Sequence, residues 1–193
     1  MSTSCGWAIL DDGDLVESGL IKVKDDHLIY NDLIEDYKFI DRADKVSRAI
    51  GILTATRYPD FIYIEQTNSG SFRTSQKMLE FIHYSVLKIL FDLGYQNKIN
   101  YVDTSAWRAT HKIWMSKDDK KNNRLVSQGK KRGRITKKHL AVQWANIKYN
   151  LALKLKDNDI AEAIAIAAYG YGKEKLRTGR INLDAIFNGE SHD

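Results

Sequence analysis

The sequence predicts a single α/β domain spanning residues 1–193, a mixed sheet flanked by helices, and three stretches carry that reading. Phe61-Ile-Tyr-Ile64 is a short run apolar on both faces, as expected of a strand covered on both sides, and it stops on a carboxylate, Glu65. Pro59 lies just ahead of it, where no ladder bond is lost. From about Asp41 to Tyr58, Ala43, Val46, Ala49, Ile50 and Leu53 recur at three- and four-residue intervals, the stripe of an amphipathic helix that delivers the chain into the strand. Near the other end, a helix beginning about Asp157 carries five alanines among ten residues, small enough to let its backbone approach a sheet closely.

The remaining elements follow in order. Gly6 to Leu10, the Asp-Asp-Gly-Asp turn at 11–14 and Leu15 to Lys24 read as a β-hairpin. Thr67 to Ser71 is a loop. A helix from Ser71 to Leu93 turns Met78, Leu79, Ile82, Val86, Ile89, Leu90 and Leu93 inward and stops at Gly94 as at a C-cap. Ile99 to Asp103 is a second short strand, after which Thr104 or Ser105 caps a helix carrying Trp107 and Arg108. A basic stretch at about 116–134, broken by Gly129 and Gly133, reads as a mobile loop. Thr136 caps a helix that runs to about Asn150 with Leu140, Val142, Trp144 and Ile147 packing inward, and residues 171–193 read as a polar, partly frayed tail.

Composition narrows the class. With 193 residues and 43% hydrophobic content the chain can bury a core, and its apolar runs are too short to span a bilayer. One cysteine, Cys5, excludes an internal disulfide and a multi-cysteine zinc site. With no charged-then-apolar leader pattern at the N-terminus, the expectation is a cytoplasmic, reducing compartment. The net charge of +5 is unevenly placed: Arg108 to Lys138 holds 12 Lys/Arg against 2 acids, Asp118 and Asp119, whereas the other residues hold 18 bases and 23 acids. A mildly acidic body with one basic segment suits a polyanionic partner, the alternative being a merely solvated lysine-rich loop.

Glu65 at the carboxyl end of a strand stands where open α/β sheets place their ligands, unless the strand end simply reaches water. Asp159 and Glu162, three apart, share a helix face, although Asp-x-x-Glu at a helix start is also a capping pattern. If the small-residue helix start meets the strand end, the three carboxylates converge, and clustered acids stay ionised only with a cation between them. Hard oxygen ligands select Mg²⁺ or Mn²⁺, and two such ions about 3.5–4 Å apart support phosphodiester hydrolysis. These pieces point to a metal-dependent nuclease with a basic arm.

The helix leading into Tyr58-Pro-Asp and Ile64-Glu65, the Asn68-Ser-Gly loop with Gln76-Lys77-Met78, Val102-Asp-Thr-Ser-Ala-Trp107-Arg108 and Asp159-Ile-Ala-Glu162-Ala together resemble RuvC-type Holliday junction resolvases, most of all the phage and poxvirus branch. Ser2-Thr-Ser-Cys-Gly-Trp-Ala8 is similar to that family's opening hairpin. The resemblance implies a ribonuclease-H-like fold, a homodimer with two active sites, possible phage origin in a bacterial host, and paired nicking of branched, four-way DNA junctions with Mg²⁺ or Mn²⁺. It implies neither a small-molecule cofactor nor a membrane. Glu65, Asp159 and Glu162 then stand at the catalytic, metal-binding positions, with Glu162 where Asp is commoner. Lys130, Lys131, Arg132, Arg134, Lys137 and Lys138 are expected on DNA phosphates, Arg73 and Lys77 nearer the cut strand, and Phe72 as a wedge at the crossover or simply a core or exposed aromatic.

The family opens with an apolar strand ending in Asp just ahead of the Ser-Thr pair, whereas Met1 directly precedes Ser2 here. Asp11 and Asp12 sit at the wrong end of the Gly6–Leu10 strand to replace that acid. The expectation is that the recorded start lies inside a longer chain that supplies the first strand. Two other functions compete with junction resolution: a catalytically impaired junction-binding protein of the same fold, and a related nuclease with other DNA targets.

Overall fold

The computed structural model describes residues 3–23, 35–66, 73–130 and 133–179. β1 (Thr3–Asp11) and β2 (Asp14–Val23) form the expected antiparallel hairpin, paired from Thr3 with Val23 to Asp11 with Asp14. Asp12 and Gly13 have φ of 45° and 94°, the left-handed pair that a two-residue turn needs to match strand twist. Ile9 faces Glu17 while Leu10 faces Leu15, so Val16 bulges out and is 60% exposed.

β3 (Ile62–Glu65) and β4 (Ile99–Val102) pair in parallel, with Glu65 beside Val102. The mixed sheet content is thus divided between an antiparallel and a parallel pair. All four β3 residues are half-buried rather than enclosed, since a two-stranded sheet has no interior strand. α1 (Glu35–Arg57) starts earlier than the periodicity suggested, because Tyr37 and Ile40 in its opening turns face outward and add nothing to the apolar stripe. It packs against α2 (Arg73–Asp92), the crossover helix that parallel pairing of β3 and β4 demands. Phe39 meets Phe81 at 6.4 Å between ring centroids, and a Cβ on Gly51 would stand 2.6 Å from Ile89 Cδ1. Val23, Ala43, Val46 and Ile82 form the core beneath this pair. Gly94, with φ of 83°, ends α2 as expected, but Leu79 and Leu93 are each 40% exposed and do not face inward.

α3 (Thr104–Thr110) is capped by Asp103, whose side chain accepts from the Ser105 amide, and not by Thr104 or Ser105. The basic stretch expected as a mobile loop contains a helix, α4 (Lys117–Ser127). Its only two acids explain this: Asp119 closes a capping box with Ser116, and Asp118 adds a second negative charge to the positive end of the helix dipole. Asn123 then bonds both backbone groups of Ile135, at 2.8 and 2.6 Å, which folds the return strand of the arm against the helix.

α5 (Lys137–Tyr149) is capped by Thr136 as expected. Its buried face is Ala141, Val142 and Ala145, and Ile147, expected to pack, is 84% exposed on the opposite side. A 3-10 turn (Leu155–Asp157) leads into α6 (Asn158–Arg177), so Tyr171 to Arg177 are helical rather than part of a frayed tail. The helix continues because Tyr171 donates to Asp12 at 2.8 Å and Glu174 accepts from Tyr63 at 2.6 Å, tying its last turns to both sheets. Residues 180–193 lie outside the described residues. No described helix is long and apolar enough to cross a membrane.

α6 organises the larger core, where Ala161, Ile164 and Ala165 are fully buried with Trp107, Ala141 and Ala145. The small-residue prediction holds closely. A Cβ on Gly6 of β1 would lie 2.0 Å from the Asp159 carbonyl oxygen, and one on Gly170 would lie 2.3 Å from the Tyr63 ring. One helix therefore touches both sheets, and its first turn sits directly on β1.

Candidate acidic site and basic surface

Glu65 is the last residue of β3, and its Oε1 accepts from Thr104 Oγ1 at 2.7 Å and from Trp107 Nε1 at 3.1 Å. Thr104 and Trp107 are three apart on α3, so one short helix face holds the carboxylate. Trp107 is fully buried, and its indole nitrogen has a fixed position from which to donate. Strand end and helix start thus fix one oxygen of Glu65 with two uncharged donors.

Glu162 projects from α6 and accepts from Arg108 Nη2 at 2.8 Å; the two side chains are 14% and 20% exposed. The Arg108 guanidinium also lies over the Trp107 ring, 4.8 Å from its centroid. Burial pushes the Glu162 carboxyl above its ordinary range, Arg108 pulls it back, and the charge of Glu65 raises it further. Glu65 and Glu162 are therefore within electrostatic reach across the gap between β3 and α6. The Arg108 Nε is buried without a partner among the described residues.

Asp159, on the first turn of α6, accepts from Ser4 Oγ at 2.6 Å, and Lys138 Nζ approaches it at 3.5 Å. Neither Asp159 nor Glu162 serves as a helix cap, so the capping alternative for this pair falls. Burial raises the nearby Cys5 thiol, and the Asp159 charge adds to it. His83, half-buried on α2 and stacked on Tyr101 at 5.9 Å, is lowered by burial and partly restored by Glu65.

The donor chemistry fits a hard divalent cation. All three groups are carboxylates, and the mutual repulsion of Glu65 and Glu162 is what such an ion relieves. Among the described residues, however, no group of three or more His, Cys, Asp or Glu side chains is arranged to hold a metal ion. Asp159 is bonded to Ser4 and Lys138, whereas Glu65 is bonded to Thr104 and Trp107, and Glu162, bonded to Arg108, feels the charge of Glu65.

Of the basic residues expected on DNA, Lys130, Arg134 and Lys137 are exposed, and Lys77 is exposed on α2. Lys138, 54% exposed, is the one that reaches the acidic site. Arg73 opens α2, its side chain outside the described residues, as are Phe72, Lys131 and Arg132 altogether. Sequence reasoning missed the supporting donors Thr104, Trp107 and Arg108. Their signal was present, since positions 104, 107 and 108 recur at helical spacing right after a strand.

No protein-family model matches this chain, and no curated protein matches its sequence. Among solved structures, T. thermophilus RuvC in complex with a Holliday junction substrate is similar, with a TM-score of 0.59 and 10% identity, over 92% of this chain and 90% of that one. The chain has a RuvC-like, ribonuclease-H-like α/β fold.

Proposed function

We propose that this protein is a divalent-metal-dependent, structure-selective endonuclease that resolves four-way DNA junctions by paired phosphodiester hydrolysis. The carrying observation is the placement of Glu65, at the end of β3, within electrostatic reach of Glu162 on α6, in a RuvC-like fold whose chain carries a basic arm between these two elements in sequence. The motif order noted in the sequence supports membership of the phage and poxvirus branch and a homodimeric assembly; the chain's length fits action as one domain and its single cysteine a reducing, cytoplasmic compartment.

Glu65 and Glu162 would hold Mg²⁺ or Mn²⁺, with Asp159 as the third carboxylate. Bound there, the ion supplies Lewis-acid polarisation of the phosphate and a more acidic water. The chain's own residues do the positioning. Thr104 and Trp107 spend their hydrogen bonds on one oxygen of Glu65, which orients the other. Arg108 opposes the burial that raises the Glu162 carboxyl, and Ser4 and Lys138 hold Asp159 by a hydrogen bond and an ion pair. The exposed cations Lys130, Arg134 and Lys137 supply the sequence-independent attraction to phosphate that brings DNA to the acids.

A second reading, a junction-binding protein without cleavage, is favoured by one observation: Arg108 and Lys138 already neutralise two of the three acids. Nicking of a synthetic four-way junction in Mg²⁺, compared with binding in EDTA, separates the two. Paired nicks that vanish with EDTA support the nuclease; tight binding with no nicks in Mg²⁺ or Mn²⁺ supports the binding protein. If linear duplex competes as well as the junction, the structure-selective reading is wrong.

A further inference from the structure

The elbow between α3 and α4 presents a tryptophan that nothing in the proposed reaction uses. Trp114 is 56% exposed, although its neighbour Ile113 is 3% exposed and part of the main core. The backbone forces this split. Lys112 takes a left-handed φ of 55°, which costs a non-glycine residue energy, and it turns Ile113 in and Trp114 out. The Ile113 amide donates to the Arg108 carbonyl at 2.8 Å, and the Trp114 amide closes a tight turn onto the Lys112 carbonyl at 3.0 Å. On the other side, Asn123 Nδ2 reaches the Met115 sulfur at 3.4 Å. The indole is therefore held out from an anchored backbone rather than from a loose loop.

Its surroundings are cationic. Lys112, Lys117, Lys120, Lys121 and Arg124 are all exposed along the elbow and α4, and the salt bridges among the described residues involve none of them. A protein partner would meet this aromatic with an apolar pocket, but the exposed cations that precede and follow it in the chain favour a partner that offers negative charge and a flat π face together. A nucleic-acid strand does so at every nucleotide. The elbow is also tied to the acidic site, because Ile113 bonds the carbonyl of the residue that grips Glu162. Trp114 is thus the residue next to the one bonded to that carbonyl.

We infer that Trp114 is a base-stacking platform for an unpaired or unstacked nucleotide of the bound DNA, with the α4 cations on the flanking phosphates. The inference rests on the proposed DNA-binding function but assigns a recognition element that the acids and the Lys130–Lys138 cations do not supply. It makes the arm a reader of strand opening, not only a source of charge.

The test compares the parent, Trp114→Ala and Trp114→Tyr for binding, in EDTA, to a single-stranded oligonucleotide carrying 2-aminopurine, a four-way junction and a linear duplex. Trp114→Ala is expected to weaken binding to the single strand and the junction by about tenfold and to remove 2-aminopurine quenching. Linear duplex binding and the salt slope stay as in the parent, and Trp114→Tyr retains most of the affinity. Equal thermal melting of the three proteins confirms that the exposed ring does not support the fold. Unchanged affinity of Trp114→Ala for all three probes overturns the inference, as does an equal loss on linear duplex or a changed salt slope. A parent that binds none of the probes defeats the DNA reading itself, which is a different outcome from a parent that binds and an alanine variant that matches it.

Discussion

α3 and α4 are successive helices, yet the acids bonded to the first and the cations carried by the second are held in opposite ways. Glu65 and Glu162 are each bonded to a side chain of α3, and the Arg108–Glu162 pair is largely buried. Lys117, Lys120, Lys121 and Arg124 stand in water, on a helix secured through its caps and through Asn123. A buried charge must be paired, so its geometry is fixed by the fold. An exposed cation on a flexible stem is fixed by nothing and remains available to an external polyanion. The first arrangement suits chemistry that needs position, the second suits attraction that needs only charge.

Substitutions can break this contrast, and the largest effect is expected at Arg108. Arg108→Ala leaves Glu162 buried without its partner and is expected to cost about 3–5 kcal/mol in urea unfolding. Adding Glu162→Gln should recover most of that loss, since no charge is then stranded; a double variant no more stable than the single one would mean that Arg108 acts through its stacking on Trp107. Next in size is Glu65→Gln, for which junction nicking should fall by more than about a hundredfold while binding stays intact or tightens, because a metal ligand and a phosphate-repelling charge go together. Near-parental nicking by this variant would remove Glu65 from the site.

Gly6→Ala probes the fixed half from its backbone. The new methyl has no room against the Asp159 carbonyl, so stability is expected to fall by about 2–3 kcal/mol and the first turn of α6 to shift away from β1. A crystal structure of the variant with Asp159 unmoved would contradict this. The exposed half should respond differently. Neutralising Lys130, Arg134 and Lys137 together is expected to leave the melting temperature unchanged and to flatten the salt dependence of DNA binding by roughly 0.9 log units per lost contact. An unaltered slope would show that the arm is only solvated.

The smallest expected effect is a pH dependence from His111, which lies inside the fixed half. Its Nε2 donates to the Ala165 carbonyl at 2.8 Å and its ring stands 4.2 Å from Trp144. Burial lowers its basicity below the ordinary 6.5, with Lys148 adding to the effect and the Ala165 carbonyl opposing it. The unfolded chain then binds more protons than the folded one below that value. Its contribution to stability is therefore full above pH 6.5 and lost as pH falls through the lowered folded value. Chemical denaturation from pH 7 down to about 5 should show that loss, and His111→Gln should remove it while keeping a donor for Ala165.

Sequence reading went furthest where a local rule sufficed. The hairpin followed from its Asp-Gly turn, α5 from Thr136, the end of α2 from Gly94, and the close seat of α6 from its alanines. It failed where a short-range pattern was outvoted. The basic stretch is charged enough to read as a loop, but Ser116 and Asp119 nucleate a helix that Asn123 then secures. Residues 171–177 look polar, yet Tyr171 and Glu174 carry α6 onward through bonds to residues more than a hundred positions away.

For the candidate site, the sequence by itself determined which carboxylates stand at a strand end and on a helix start, because both facts depend on periodicity and local position. Only the tertiary structure decided what holds them. It put Thr104 and Trp107 on Glu65, Arg108 on Glu162, and Ser4 with Lys138 on Asp159, and it turned Trp114 outward beside the buried Ile113. The reason is physical: a hydrogen bond between residues 39 or 155 positions apart depends on how helices and strands are stacked in space, and no periodicity within either segment encodes that arrangement.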